Sequence, residues 1–313
     1  MHIAFLIAGL TLLIWGSHGL LKSAVAISFR LHISRMVIGM TVVSFVTSAP
    51  ELLVSVQAAW NAHADLALGN VVGSNIANLG LVLAVTLLAS PIDIRRRFYQ
   101  TDWPALMVSS LLLFSFLCGK GVISRRAGFI MIGLLAWFLR YLIRRQKPTV
   151  RPADTRLESD WLSGIQIALF LLLGGAALWA GSRLLISGAV GLAQSIGVTD
   201  RVIGVTAVSV GTSIPELSTS VVAAIKRQKA ISLGNLLGSN IFNILGVLGI
   251  TAAIQPIKMT DKHLLYNDVI WMLGYAFALL PLVCLPKRMR LGPWEGAILL
   301  VGYCVFVFFI IVK

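Results

Sequence analysis

Two stretches of this chain occur twice, and each copy sets one glutamate inside an otherwise apolar run. VIGMTVVSFVTSAPELLVSVQAAW, from Val37 to Trp60, returns as VIGVTAVSVGTSIPELSTSVVAAI, from Val202 to Ile225, 165 positions later. GNVVGSNIANLGLVLA, from Gly69 to Ala84, returns as GNLLGSNIFNILGVLG, from Gly234 to Gly249, at the same offset. Without a gap, 15 of 24 and 9 of 16 positions are identical, more than shared apolar composition produces. A chain that contains itself twice is expected to build two copies of one unit, with its site where they meet.

Composition sets the solvent. With 58% hydrophobic and 12% charged residues, the chain is outside the range of ordinary soluble domains. Ten runs nearly free of charge, at 3–28, 37–60, 69–89, 103–118, 126–144, 162–188, 201–225, 234–254, 268–286 and 293–312, are long enough to cross a membrane. Backbone groups inside lipid must pair with each other, and no alternating strand pattern suggests a barrel. The expected fold is an all-α membrane protein of ten transmembrane helices. The first run has no basic residue before Lys22 and reads as a span rather than a removable signal. Cys118, Cys284 and Cys304 have no metal-type spacing.

The formal charge of +14 is distributed as a membrane topology signal rather than a nucleic-acid footprint, so no nucleic-acid partner is expected. Assigning alternate loops to opposite sides gives 17 Lys and Arg on one side and 7 on the other, with Lys22 and Arg183 left inside long spans. The richer side is cytoplasmic, which puts both termini outside. A polar linker at 146–160, with Pro148 and Pro152, separates a first repeat at 1–145 from a second at 161–313. Five spans per half is odd, so the second half enters upside down. Two inverted five-helix repeats are a recurring plan for alternating-access carriers.

Only Glu51 and Glu216, of 12 acidic residues, fall near mid-membrane. A carboxylate there costs roughly 2.5–3.5 kcal/mol on insertion scales and needs a partner or water. Asp102 and Asp268 open later spans and read as helix caps at the interface. Each central glutamate follows a proline, Pro50 or Pro215, which cannot donate to the carbonyl four residues back. The carbonyls of Val46 and Gly211 are thereby freed, beside Thr47 and Thr212. Thr41, Ser44, Thr47, Ser48, Glu51 and Ser55 share one helix face, and Thr206, Ser209, Thr212, Ser213, Glu216 and Ser220 repeat it. Asn70, Ser74 and Asn78 step by four on the third span, as Asn235, Ser239 and Asn243 do on the eighth. Such groups serve as interhelical glue in many membrane helices, and Gly69-x-x-x-Gly73 and Gly234-x-x-x-Gly238 read as close-packing motifs. Four oxygen-lined stripes converging on two carboxylates favour ligation of a hard cation such as Na⁺ or Ca²⁺.

These motifs, Val210 to Glu216 with Gly234 to Asn243, and Val46 to Glu51 with Gly69 to Asn78, resemble the α-repeats of the sodium/calcium exchanger family, in its prokaryotic form. The resemblance implies Ca²⁺ and Na⁺ as transported ions, with no cofactor and an inner-membrane location. It implies Glu51 and Glu216 as central Ca²⁺ ligands, helped by the Thr47 and Thr212 carbonyls. Ser48, Ser213, Ser74, Ser239, Asn78 and Asn243 would complete Na⁺ sites, with Ser44 and Ser209 contributing carbonyls. It further implies that the long first and sixth helices slide across the remainder to switch access. Two positions depart from the pattern: Val46 stands where the second copy has Gly211, and Asn243 stands where potassium-dependent relatives, and some independent ones, carry aspartate. The second departure argues against K⁺ co-transport.

Two buried carboxylates with no cation are costly to occlude, whereas one Ca²⁺, or two or more Na⁺, neutralise them. Exchange rather than leak then follows from charge. Protons could neutralise the pair too, which makes a Ca²⁺/H⁺ antiporter the alternative. An intramembrane protease with paired acids and a passive cation channel are the remaining readings.

Overall fold

The computed structural model describes residues 2–145, 162–195, 211–285 and 289–312. The chain runs through α1 (His2–Arg30), α2 (Arg35–Thr47), α3 (Ala49–Trp60), α4 (Ala64–Ala89), α5 (Phe98–Gly119) and α6 (Arg125–Arg144). After the linker come α7 (Gly164–Ser195), α8 (Ile214–Ile225), α9 (Lys229–Ile254), α10 (Leu264–Cys284) and α11 (Pro293–Val312). Helix is what these apolar runs must form, since only helices satisfy their own backbone without water. Among the described residues, eight helices are long and apolar enough to span, and the α2–α3 pair makes nine if it is one bent span. The expected seventh span is represented by α8, its residues 201–210 lying outside the described part, as does the linker at 146–160.

Burial sorts the helices into layers. In α4 and α9, 78% and 83% of the most apolar window is buried, against 28% in α1 and α7. The two repeats of the Gly-Asn motif are therefore the central helices. One large apolar cluster runs from Val37 to Phe306 and takes no residue from α1 or α7. Those two helices pack instead on each other and through a second cluster, containing Leu13, Leu20, Leu178 and Ile214, against the faces of α2 and α8. Glycines make the α1–α7 contact tight. A Cβ on Gly16 would stand 2.8 Å from the Gly174 carbonyl, and one on Gly9 would stand 2.8 Å from that of Gly181. Gly9 and Gly174, and Gly16 and Gly181, are themselves 165 apart.

Short strands tie the halves together outside the helices. β1 (Ile92–Asp93) pairs antiparallel with β4 (Arg290–Leu291), and β2 (Val122–Ile123) with β3 (Ile257–Lys258). Each strand of the first half finds its partner in the second. The Gly234 motif packs as expected: a Cβ there would lie 2.3 Å from the Met36 carbonyl, and one on Gly238 would lie 2.5 Å from the Met40 Cα, whereas the Gly69 motif does not, since a Cβ on Gly69 would meet only a Leu264 methyl at 4.0 Å and one on Gly73 nothing within 4 Å. Backbone of α9 thus lies directly on α2.

Candidate functional site

The two prolines act as helix starters. Ser48 ends α2 at φ −87°, ψ 6°, and Ser213 precedes α8 at φ −88°, ψ 1°. Both sit in the sparsely occupied bridge region, Ser48 between two helical runs and Ser213 directly before one. Pro50 and Pro215 fall in the first turn of α3 and α8, where a missing N–H has no helical partner to lose. At the first break the axis bends by 47°. Glu51 and Glu216 therefore sit in the first turn of a half-helix, whose positive end favours their charge. Both are 0% exposed.

One expectation about the freed carbonyls is corrected. The Gly211 carbonyl is not left open toward the centre, because the Ser182 hydroxyl of α7 donates to it at 2.9 Å. A proline-freed acceptor inside lipid takes whatever donor its neighbour offers. Ser17, the residue at the equivalent position of α1, instead meets the Ser218 hydroxyl of α8 at 2.7 Å. The Ser44 carbonyl is also engaged, accepting from the Ser48 N–H at 2.9 Å and from the Thr47 hydroxyl at 3.3 Å.

Side chains from both halves interlock around the carboxylates. Ser48 donates to Glu216 Oε1 at 3.2 Å. Thr47 donates to Asn235 Oδ1 at 3.1 Å and lies 3.4 Å from the Ser239 hydroxyl. In the other copy, Ser74 and Thr212 hydroxyls meet at 2.9 Å. Asn70 donates to the Glu51 carbonyl at 3.3 Å and to Ser55 at 3.0 Å; Asn235 donates to Ser220 at 3.1 Å, the repeat of the same contact. Glu51, Glu216, Thr47, Ser44, Ser48, Ser213, Ser74, Ser239, Asn78 and Asn243 are all buried, and Thr212 is half-buried. Ser209 and Thr206 lie outside the described residues.

What these atoms lack matters as much. Both oxygens of Glu51, Oε2 of Glu216, the Ser213 hydroxyl, both amide atoms of Asn78 and Oδ1 of Asn243 are buried without a protein partner. Buried polar atoms are rarely left so, and this cluster of them lies among the side chains that interlock around the two glutamates. Among the described residues no three His, Cys, Asp or Glu side chains come together, so the charge of this centre rests on the glutamate pair. The helical ladder widens to π turns at Asn78–Val82 and Asn243–Leu248, each starting at a candidate ligand. Such turns recur at functional sites because they free a backbone carbonyl.

Asp102 is not an interfacial cap. It is 2% exposed, caps nothing with its side chain, and pairs with Arg97 at 3.3 Å. Asp268 sits within the π turn Leu264–Val269 and accepts from Asn267 at 2.8 Å. The sequence reading passed over Asn75, Asn240, Ser17 and Ser182, although each pair is separated by the telltale 165 positions.

Comparison with known proteins covers nearly the whole chain. The family model for the sodium/calcium exchanger protein matches residues 1–144 and 166–312. CaxA of Alkalimonas amylolytica, described as an antiporter, is 37% identical over 307 residues, covering 96% of this chain and 95% of the relative. The sodium/calcium exchanger MaX1 of Methanosarcina acetivorans is 30% identical, covering 98% and 97%. Among solved structures, the sodium-calcium exchanger NCX_Mj soaked with zero Na⁺ and Ca²⁺ superposes with a TM-score of 0.78 at 28% identity, covering 99% of this chain and 98% of that one.

Proposed function

This chain belongs to the sodium/calcium exchanger protein family, and from that premise we propose that it is a secondary antiporter exchanging Na⁺ for Ca²⁺ by alternating access, without K⁺. The observation that carries the proposal is the pair of fully buried, repeat-equivalent glutamates among oxygen atoms that have no protein partner. Glu51 and Glu216 hold Ca²⁺ from opposite halves, with the Thr47 and Thr212 carbonyls beside them. Ser48, Ser213, Ser74, Ser239, Asn78 and Asn243 supply neutral oxygens that divide the same space into Na⁺ positions, with the carbonyls of Ser44 and Ser209 as further ligands. Their number supports Na⁺ over H⁺ as the counter-ion, since a proton needs one acceptor and no cage. Proton exchange is the second reading, because Glu51 has no donor of its own and a proton neutralises it as a cation would.

The multi-pass membrane architecture is proposed to be ten spans in two inverted repeats, 1–145 and 161–313, joined by a cytoplasmic linker at 146–160. The reciprocal pairing of β1 with β4 and β2 with β3 supports it, since each pair joins loops that an inverted repeat puts on one side. Both termini are then outside, in a bacterial-type inner membrane like that of the E. coli inner membrane protein YrbG, 32% identical over 97% of this chain. Equilibrium binding tests the site: Na⁺ should displace Ca²⁺ competitively from purified protein, and Glu51→Gln should abolish Ca²⁺ binding. Ca²⁺ binding indifferent to Na⁺ but lost on acidification would instead support proton exchange.

A further inference from the structure

Asn75 and Asn240 are the remaining polar residues of the repeated Gly-Ser-Asn motif, and both are buried where α4 crosses α9. They do different things. Asn75 Nδ2 donates to the backbone carbonyl of Asn240 at 3.1 Å and also lies 3.7 Å from the Met272 sulfur. A backbone carbonyl can only accept, so this contact decides which end of the Asn75 amide faces it. The Oδ1 end is left toward Asn243, and it too can only accept. Asn243 must therefore present its NH₂, which it does, donating to Asn75 Oδ1 at 3.1 Å. Its own carbonyl oxygen is then turned away from Asn75 and is buried with no protein partner.

The other half lacks this chain of contacts. Asn240 spends its NH₂ on the carbonyl of Leu236 in its own helix at 2.7 Å. Oδ1 of Asn240 is unpartnered, and so are both amide atoms of Asn78, the repeat counterpart of Asn243. The orientation of Asn78 is thus left to whatever it binds, whereas that of Asn243 is fixed in advance.

We infer that Asn75 is a positioning residue: anchored on the Asn240 backbone carbonyl, it turns the Asn243 amide so that its oxygen is the end offered to a cation. The inference rests on the proposed cation site and extends it to a residue outside the ligand set. It also defines what position 243 accepts. A group there must donate one hydrogen bond to Asn75 and keep an oxygen free, which an amide does and an ionised carboxylate does not.

The test compares Asn75→Leu with Asn240→Leu in proteoliposomes, reading the Na⁺ concentration for half-maximal exchange separately from the Ca²⁺ half-saturation. Losing a preset ligand orientation should raise the Na⁺ value by about tenfold in Asn75→Leu, with the Ca²⁺ value shifted less than about twofold. Asn240→Leu should shift both by less than about twofold. In an Asn243→Ala background the Asn75→Leu substitution should add nothing further to the Na⁺ shift, since it acts through a group already removed. Should Asn75→Leu fail to yield monodisperse protein, Asn75→Ser, too short to bridge the two partners, carries the same expectations. Equal shifts in Na⁺ and Ca²⁺ values, equal effects of the two asparagines, or additivity with Asn243→Ala would overturn the inference. Absence of Na⁺-driven exchange in the wild type would instead sink the proposed function.

Discussion

At the scale of single residues, the glutamates and the aspartates separate by what surrounds them. Glu51 and Glu216 are enclosed and short of donors. An amide at either position is nearly isosteric but removes one of the two charges that offset a divalent ion. Glu51→Gln and Glu216→Gln should therefore each lower Ca²⁺ exchange by at least about a hundredfold while the protein stays folded, as roughly 3 kcal/mol of lost charge pairing implies. Near-normal flux from either variant would contradict the central role of the pair. Asp102 is buried against Arg97 and lies outside both repeated motifs of its half, so its worth is structural. Asp102→Asn should lower thermal stability by roughly 1–3 kcal/mol, the cost of leaving a part-buried partner unpaired, with exchange kept. A melting curve and a flux assay on the same preparation decide that.

Among elements, the breaks were legible because proline has one meaning inside a helix. Pro50 and Pro215 forecast where α2 gives way to α3 and where α8 begins. The fate of the freed carbonyl was not legible. Ser182 is remote in sequence from Gly211, and only the packing of α7 on α8 brings its hydroxyl there. The same limit hid Asn75, which looks like its repeat counterpart until the helices cross. Serine and asparagine in a membrane helix are ambiguous between glue and ligand, and the structure separates them only in part: Asn70 and Asn235 donate to neighbours, while the Asn78 amide has no protein partner. The Asp102 cap was misread because position near a span end does not report depth of burial. Ser182→Ala would leave the Gly211 carbonyl without its donor and loosen α7 from α8. The substitution should slow exchange several-fold with Ca²⁺ half-saturation little changed, a split that steady-state flux measures; an unchanged maximal rate would show that the contact is incidental.

For the whole molecule, the repeat offset of 165 proved the strongest signal in the sequence, since it extends beyond the motifs into α1 and α7 through Gly9, Gly16 and Ser17. The separate apolar cluster of those two helices could not have been read from composition, because α1 and α7 are no more apolar than α4 or α11. Orientation in the membrane rests on the basic residues. Arg95, Arg96 and Arg97 follow β1, and Arg290 lies in its partner strand β4, so two basic loops share one face. Cysteines placed at 148–158 should react only with reagents that reach the cytoplasm, and cysteines at 62–65 only from outside. Native Cys118, Cys284 and Cys304 are exposed and must first be replaced. Reversed labelling would invert the assignment while leaving the two-copy architecture intact.

The claim on which everything else depends is that Na⁺ leaving one side drives Ca²⁺ entry through this pair of glutamates. Proteoliposomes loaded with Na⁺ and diluted into Na⁺-free medium containing labelled Ca²⁺ measure it directly. The account predicts rapid Ca²⁺ accumulation that requires internal Na⁺, is indifferent to external K⁺, survives collapse of any pH gradient and disappears in Glu216→Gln. Accumulation that follows an imposed proton gradient and ignores Na⁺, or that saturates with K⁺, would contradict it.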